Sequence, residues 1–224
     1  MTRGIKRSQS QGNNIRLPIT LEVLKKLRGS WLETFDGDSS HDMWLLWAIA
    51  CTAFFGFMRL GEIFSRKGEA PLKVSDLATD SHDNPSFFRI LIRRAKNDPF
   101  GKGSFVFLGK SNKNICPVLA LSRYLTLRPP VDKELFLKAD GSPCSRDFFV
   151  SSVRNALARA GLNQSLFAGH SFRIGAATTA AAAGIPSHTI KRLGRWNSEA
   201  FNLYIRQSDI SLCNISAIMA STPC

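Results

Sequence analysis

Two hydrophobic periods divide the chain. Leu21, Leu24 and Leu27 recur at helical spacing behind Thr20, so a helix N-capped by Thr20 and ending at Gly29 is expected. Residues 36–41, rich in Asp, Ser and Gly, form a turn. From Met43 to Met58 the chain carries no charged side chain, which predicts a long buried helix from about Asp42 to Phe57. That run is shorter than the roughly 20 residues a membrane span needs, so a helix in the core of a globular domain is the reading.

Residues 70–116 change to the period of strands. Pro71 to Leu77 reads as a short strand. Phe88, Ile90 and Ile92 alternate with Arg89, Leu91 and Arg93 in a second, from Phe87 to Arg94. Asp98-Pro99-Phe100-Gly101 makes the turn, Ser104 to Leu108 the return strand, and Asn114 to Pro117 its continuation. Pro117 then opens a helix to about Leu127, ended by Pro129-Pro130. Leu135 to Leu137 reads as a short strand. Ser145 caps a helix over Arg146 to Ala160, stopped by Gly161. The next helix bears His170 and Arg173, its small residues from Gly175 to Ala183 permit close packing, and Gly184 ends it. Another runs from Ile185-Pro186 through Leu193. The expected fold class is α+β, mainly α-helical, with a small antiparallel sheet or hairpin.

Composition narrows the function. The 224 residues suit one domain of ordinary size, and 44% hydrophobic residues allow a packed core. Thirty Lys and Arg against 17 Asp and Glu leave a formal charge of +13, which favours a polyanionic partner. Five scattered cysteines, none in a Cys-x-x-Cys or Cys/His cluster, argue against a zinc site or a disulfide framework and fit a reducing compartment. No signal peptide is expected, because the N-terminus is polar and basic. Residues 1–16 carry Arg3, Lys6, Arg7 and Arg16 without an acid and read as a basic linker or tail. After Tyr204, an apolar tail over 209–224 repeats Ile210, Leu212, Ile215, Ile218 and Met219 at roughly helical spacing. It packs either in cis or on a neighbouring protomer.

Candidate chemistry gathers near the C-terminal end. His170 and Arg173, three apart, share a helix face, and Trp196 and Tyr204 follow. A phenol has an unperturbed pKa of about 10, so it needs a cationic pocket to attack a phosphate as phenolate. Upstream, Arg59 closes the apolar run with Glu62 three residues on. The pair is either a plain ion pair or a carboxylate holding a guanidinium that leaves one edge for a phosphate. Lys96 ends the second strand beside the turn, and Lys102 lies across it.

In order, Arg59, Lys96, His170, Arg173, Trp196 and Tyr204 resemble the signature of the tyrosine recombinase (phage integrase) family. The wording of Gly-His-Ser-Phe-Arg-Ile-Gly-Ala-Ala-Thr and Leu-Gly-Arg-Trp-Asn-Ser-Glu-Ala-Phe-Asn-Leu-Tyr-Ile-Arg is similar to recombinases of DIRS-group retrotransposons and related eukaryotic mobile elements. The likeness runs over residues 17–208, which would form the catalytic domain. It implies the fold of that domain, and strand breakage and rejoining on double-stranded DNA. Tyr204 would be the nucleophile and would form a 3′-phosphotyrosyl link. Arg59 and Arg173 would clamp the scissile phosphate, His170 and Trp196 would donate to it, and Glu62 would support Arg59. Lys96, or alternatively Lys102, would be the general acid, and Lys102, Arg195 and Arg206 would touch DNA. No metal or other cofactor is implied, because the ester energy is conserved in the tyrosyl link. The resemblance further implies a homotetramer on DNA, a monomer in isolation, no membrane, and as location the nucleus for a eukaryotic element and otherwise the cytoplasm. Two departures matter: Trp196 stands where histidine is commoner and one residue closer to the tyrosine than in many bacterial members, and only 16 linker-like residues precede Leu17, where the family usually carries a helical core-binding domain. A non-catalytic DNA-binding remnant and a type IB topoisomerase-like relaxation are the alternatives.

Overall fold

The computed structural model describes residues 16–35, 40–64, 70–93, 103–111, 113–131 and 134–205. The Asp98–Gly101 turn, Lys96, Lys102, Arg206 and the expected basic and apolar tails lie outside these residues, apart from Arg16.

Helix α2 (His41–Phe55) is the axis of the core. Every residue from Met43 to Phe54 is buried, so no face of it meets water. Helices α4 (Pro117–Leu127) and α6 (Ser171–Ala182) pack against it, as does α1 (Leu21–Thr34), whose other neighbour is α5 (Arg146–Arg159). Burial of a large apolar side chain stabilises by about 1.5–3 kcal/mol, so α2 alone supplies much of the driving force. Thr20, Ser40 and Ser145 cap their helices through side-chain oxygens that accept backbone N–H groups.

Helix α1 runs on past Gly29 to Thr34, against the expectation that it stops there. Leu27, Ser30 and Trp31 are buried across that point. Their packing outweighs the roughly 1 kcal/mol a mid-helix glycine costs. Gly175 has a steric role instead: a Cβ there would overlap the Ile19 carbonyl. Its absence lets α6 lie against the segment entering α1, where the Ile19 N–H donates to the Ser171 carbonyl at 2.9 Å.

A three-stranded antiparallel sheet, β1 (Leu77–Thr79), β2 (Phe87–Ile92) and β3 (Ser104–Gly109), is ordered as in sequence. Phe88 faces Leu108 and Ile90 faces Val106, all four buried, so the alternation read in β2 is the inward face. Three strand expectations are corrected. Within 71–77, Val74–Asp76 is a 3-10 turn, because Asp76 folds back to accept the Lys73 N–H at 2.9 Å, and the strand starts only at Leu77. Residues 114–117 do not extend β3: Cys116 instead caps α4 through its Sγ. Leu135–Leu137 forms no strand but lies between isolated bridges, Lys73 with Glu134 and Leu137 with Pro143. Buried Tyr124 holds this segment, its hydroxyl donating to carbonyls there and accepting the Leu137 N–H at 2.7 Å.

The last elements are α7 (Ser187–Leu193) and a 3-10 turn, Glu199–Tyr204, which packs on α6.

Candidate active site

The site begins where α2 ends. Gly56 has no room for a side chain, since a Cβ would stand 2.6 Å from the Thr52 carbonyl and 2.8 Å from Val106. The chain then turns sharply through Phe57, whose φ of 51° is left-handed and costly for a bulky residue. Arg59 emerges from this turn as the N-cap of the short helix α3 (Leu60–Ile63). Glu62, on the first turn of α3, accepts the Arg59 backbone N–H at 2.9 Å and the Arg59 guanidinium at 3.1 Å. The carboxylate thus holds both the backbone and the guanidinium of Arg59.

Arg173 comes from α6 and is fully buried. Its guanidinium donates to the Phe57 carbonyl at 2.6 Å and to the Gly194 carbonyl. Its carbon centre lies 4.2 Å from the Trp196 ring. Burial pushes its pKa down to about 9, with the neighbouring Arg59 charge adding to the effect and Glu62 opposing it. A cation so placed keeps its charge at neutral pH and makes the pocket floor positive.

His170 is the N-cap of α6 rather than a residue within it, and its ring reaches solvent. Desolvation lowers its pKa from 6.5, and the charges of Arg59, Arg173 and Arg146 push the same way. The ring is therefore neutral at pH 7, with one N–H to donate. Arg146, first residue of α5, is a further cation beside the site. Its charge acts on His170, and its guanidinium lies 3.6 Å from where a Cβ on Gly169 would be. No local spacing links it to His170, so no sequence signal points to it.

Trp196 is packed rather than displayed. It is 8% exposed and touches Phe57, Phe201 and Tyr204, with ring centroids 6.2, 5.9 and 5.5 Å away. Its indole N–H is buried and finds no acceptor among the described residues. Gly194 makes the space, since a Cβ there would overlap the indole. Tyr204 lies half-buried against that ring, and its carbonyl accepts the Thr178 hydroxyl at 3.0 Å. Its phenol is close enough to Arg173 to favour that charge.

Arg195, read from sequence as a DNA contact, turns inward. Its guanidinium donates to Glu62 at 2.8 Å and to the Gly56 and Leu193 carbonyls at 3.1 and 3.2 Å. Arg59, Glu62, His170, Arg173, Arg195, Trp196 and Tyr204 thus meet in one place. Two guanidinium groups bond one carboxylate there, and a third, on Arg173, is close enough to feel its charge, an arrangement suited to an anion with several oxygens. Among the described residues no group of His, Cys, Asp and Glu could hold a metal, and no helix is long and apolar enough to cross a membrane.

No protein-family model matches the chain, and no curated protein does. Solved structures do. The chain is similar to XerH site-specific recombinase bound to a palindromic difH substrate, in a post-cleavage complex. The TM-score is 0.68 and the identity 19%, over 94% of this chain and 55% of that one. XerA recombinase matches with a TM-score of 0.65 and 17% identity, over 100% of this chain and 70% of that one. A lambda integrase dimer bound to a COC′ core site matches with a TM-score of 0.59 and 14% identity, over 87% of this chain and 50% of that one. The fold is that of tyrosine recombinase catalytic domains: mainly helical, with a small three-stranded antiparallel sheet. The chain spans about half the length of the XerH recombinase that it matches.

Proposed function

We propose that this chain breaks and rejoins double-stranded DNA through Tyr204, as a site-specific recombinase or integrase of a mobile element. One observation carries the reading. Arg59, the pair His170 and Arg173 at the start of α6, and Tyr204 come from three separate segments and converge around Trp196 and Glu62, where Arg195 also meets the carboxylate, although nothing in the packing of a core requires three buried or half-buried arginines. Burying such charge is costly unless an anion or a functional demand balances it.

In this reading the Tyr204 oxygen attacks the phosphorus and gives up its proton to water. The bond from phosphorus to the 5′-oxygen breaks, and that oxygen leaves as a hydroxyl after taking a proton from Lys96 or Lys102. The DNA 3′ end stays esterified to Tyr204, and the reverse attack by a 5′-hydroxyl reseals a strand. Arg59 and the neutral His170 donate to the non-bridging oxygens. Arg173 supplies charge from below, and Trp196 carries the tyrosine ring. Removal of one comparable oxyanion donor elsewhere costs about 3–4 kcal/mol in the transition state, so a cluster of this size is sufficient for the chemistry. Assembly of four copies on DNA belongs to the same reading.

The test is a denaturing gel. The chain and its Tyr204→Phe variant are incubated with a pool of nicked suicide duplexes whose cleaved 5′ fragment diffuses away. A DNA-linked band that survives SDS and disappears in the variant is the expected result. A folded, DNA-binding chain that forms no band leaves only the non-catalytic remnant. Relaxation of supercoiled plasmid without exchange between two duplexes would favour the topoisomerase-like form of the same chemistry.

A further inference from the structure

We infer that Arg195 is a positioning residue for this chemistry, sharing the buried Glu62 carboxylate with Arg59 and so setting the direction in which Arg59 meets the phosphate. The inference rests on the reading of Tyr204 given above.

Glu62 is 6% exposed in its side chain and lies between two guanidinium groups. Its Oε1 accepts Arg59 Nη1 at 3.1 Å. Its Oε2 accepts the Arg59 backbone N–H at 2.9 Å and Arg195 Nη2 at 2.8 Å. Without Arg195, both carboxylate oxygens would be held only by Arg59, the residue they orient. Arg195 gives Oε2 a second partner from a distant segment. Two features make Arg195 a strap rather than a phosphate ligand. Its side chain is 12% exposed against 23% for Arg59. Its terminal nitrogens are also committed to protein oxygens: Nη1 to Gly56 and Leu193, and Nη2 to Glu62 and, at 3.5 Å, Phe57. It therefore ties the end of α2 and the end of α7 to α3. Among the described residues, by contrast, Glu62 is the only side-chain partner of the Arg59 guanidinium.

The backbone supports the same assignment. Arg195 has a φ of 55°, a left-handed conformation in which an arginine is strained and a glycine is not. Backbone bonds form this turn, the Arg195 and Trp196 N–H groups donating to the Arg192 and Lys191 carbonyls at 3.0 Å, and it is a turn in which glycine is the usual occupant, so the turn itself does not call for an arginine side chain. Phe57, the other strained residue, presents its carbonyl to both Arg173 and Arg195. The two unfavourable backbones thus meet through one carbonyl at the site.

The experiment compares the full chain with Glu62→Gln, Arg195→Gly, the double variant and Arg195→Lys. It uses a suicide duplex that the wild type cleaves, with melting curves and duplex affinity measured in parallel. Glycine relieves the strained backbone, so the variant is expected to fold. The expected result is that each of the two single changes slows adduct formation roughly tenfold or more. The double variant should be no slower than the slower single, because both act through one carboxylate. Arg195→Gly should bind duplex within about threefold of wild type, since Arg195 does not touch DNA, and Arg195→Lys should recover part of the rate. Losses that multiply in the double variant, affinity that falls as far as the rate, or an unchanged rate in Arg195→Gly would each overturn the assignment while leaving Tyr204 chemistry intact. A folded wild type that forms no adduct on any duplex overturns the functional reading itself, and this role with it.

Discussion

The Arg173 guanidinium carbon lies over Trp196, 4.2 Å from the ring centroid, with the Tyr204 ring tilted against the same indole at 5.5 Å. A buried cation and the candidate nucleophile are thus held at one distance by a single aromatic side chain. The cation–π contact compensates part of what Arg173 loses in leaving water, which for a desolvated pair is worth about 2 kcal/mol. The remainder comes from the carbonyls of Phe57 and Gly194.

Trp196→Ala should therefore destabilise the fold by about 3–5 kcal/mol, through the cavity it leaves and the exposed charge beneath it. Trp196→Phe should cost far less and keep adduct formation within a few-fold of wild type, because the indole N–H finds no acceptor among the described residues. Urea unfolding and the SDS-resistant band measure the two effects. A Phe variant that folds normally but forms no adduct would make the indole N–H a donor to the phosphate.

His170 predicts a pH dependence. Its folded pKa is held below 6.5 by burial and by Arg59, Arg173 and Arg146. Below that value the unfolded chain binds a proton that the folded chain resists, so the stabilising difference is present above pH 6.5 and is lost as pH falls through the folded pKa. The urea midpoint of the wild type should fall more between pH 7 and pH 5 than that of His170→Gln. The effect is modest, because water reaches the ring. Equal slopes in the two proteins would show that His170 is not perturbed.

Gly194→Ala separates the site from the core. The added Cβ collides with the Trp196 ring, which must then shift against Arg173 and Tyr204. Such overpacking costs about 1–3 kcal/mol. Adduct formation should drop by a larger factor than stability accounts for, since the ring that moves is the one that carries the nucleophile. Gly29→Ala is the control: nothing lies within 4 Å of its Cβ, and it sits inside a helix, so it should stabilise slightly.

Affinity for duplex DNA should fall steeply with salt. A formal charge of +13 favours phosphate contacts, and each phosphate neutralised contributes about −0.9 to the slope of log affinity against log salt. Fluorescence anisotropy of a labelled duplex over a salt series reads this slope. A flat response would remove the electrostatic basis for DNA as the partner.

Much of the architecture is legible along the chain because it depends on local rules. The uninterrupted apolar run defines α2, the alternation through Phe88, Ile90 and Ile92 defines the inner face of the sheet, and Thr20, Ser145 and Pro117 mark helix starts. The expectations that failed are those where one residue was judged without its neighbours in space. Gly29 looks like a stop until Trp31 is seen in the core, and residues 71–77 look like a strand until Asp76 folds back onto Lys73.

The sequence by itself determined which residue types the site would hold, because Arg59, Glu62, His170, Arg173, Trp196 and Tyr204 are ordered and spaced in a pattern that resembles one chemistry. Only the tertiary structure decided what each of them faces. Burial turned Trp196 into a platform and Arg173 into a cation bound by carbonyls, and it aimed Arg195 at Glu62 instead of outward. The physical reason is that the direction of a side chain and the solvation of its charge depend on segments distant in sequence, here residues 56–57, 62 and 193–194, which no local pattern specifies.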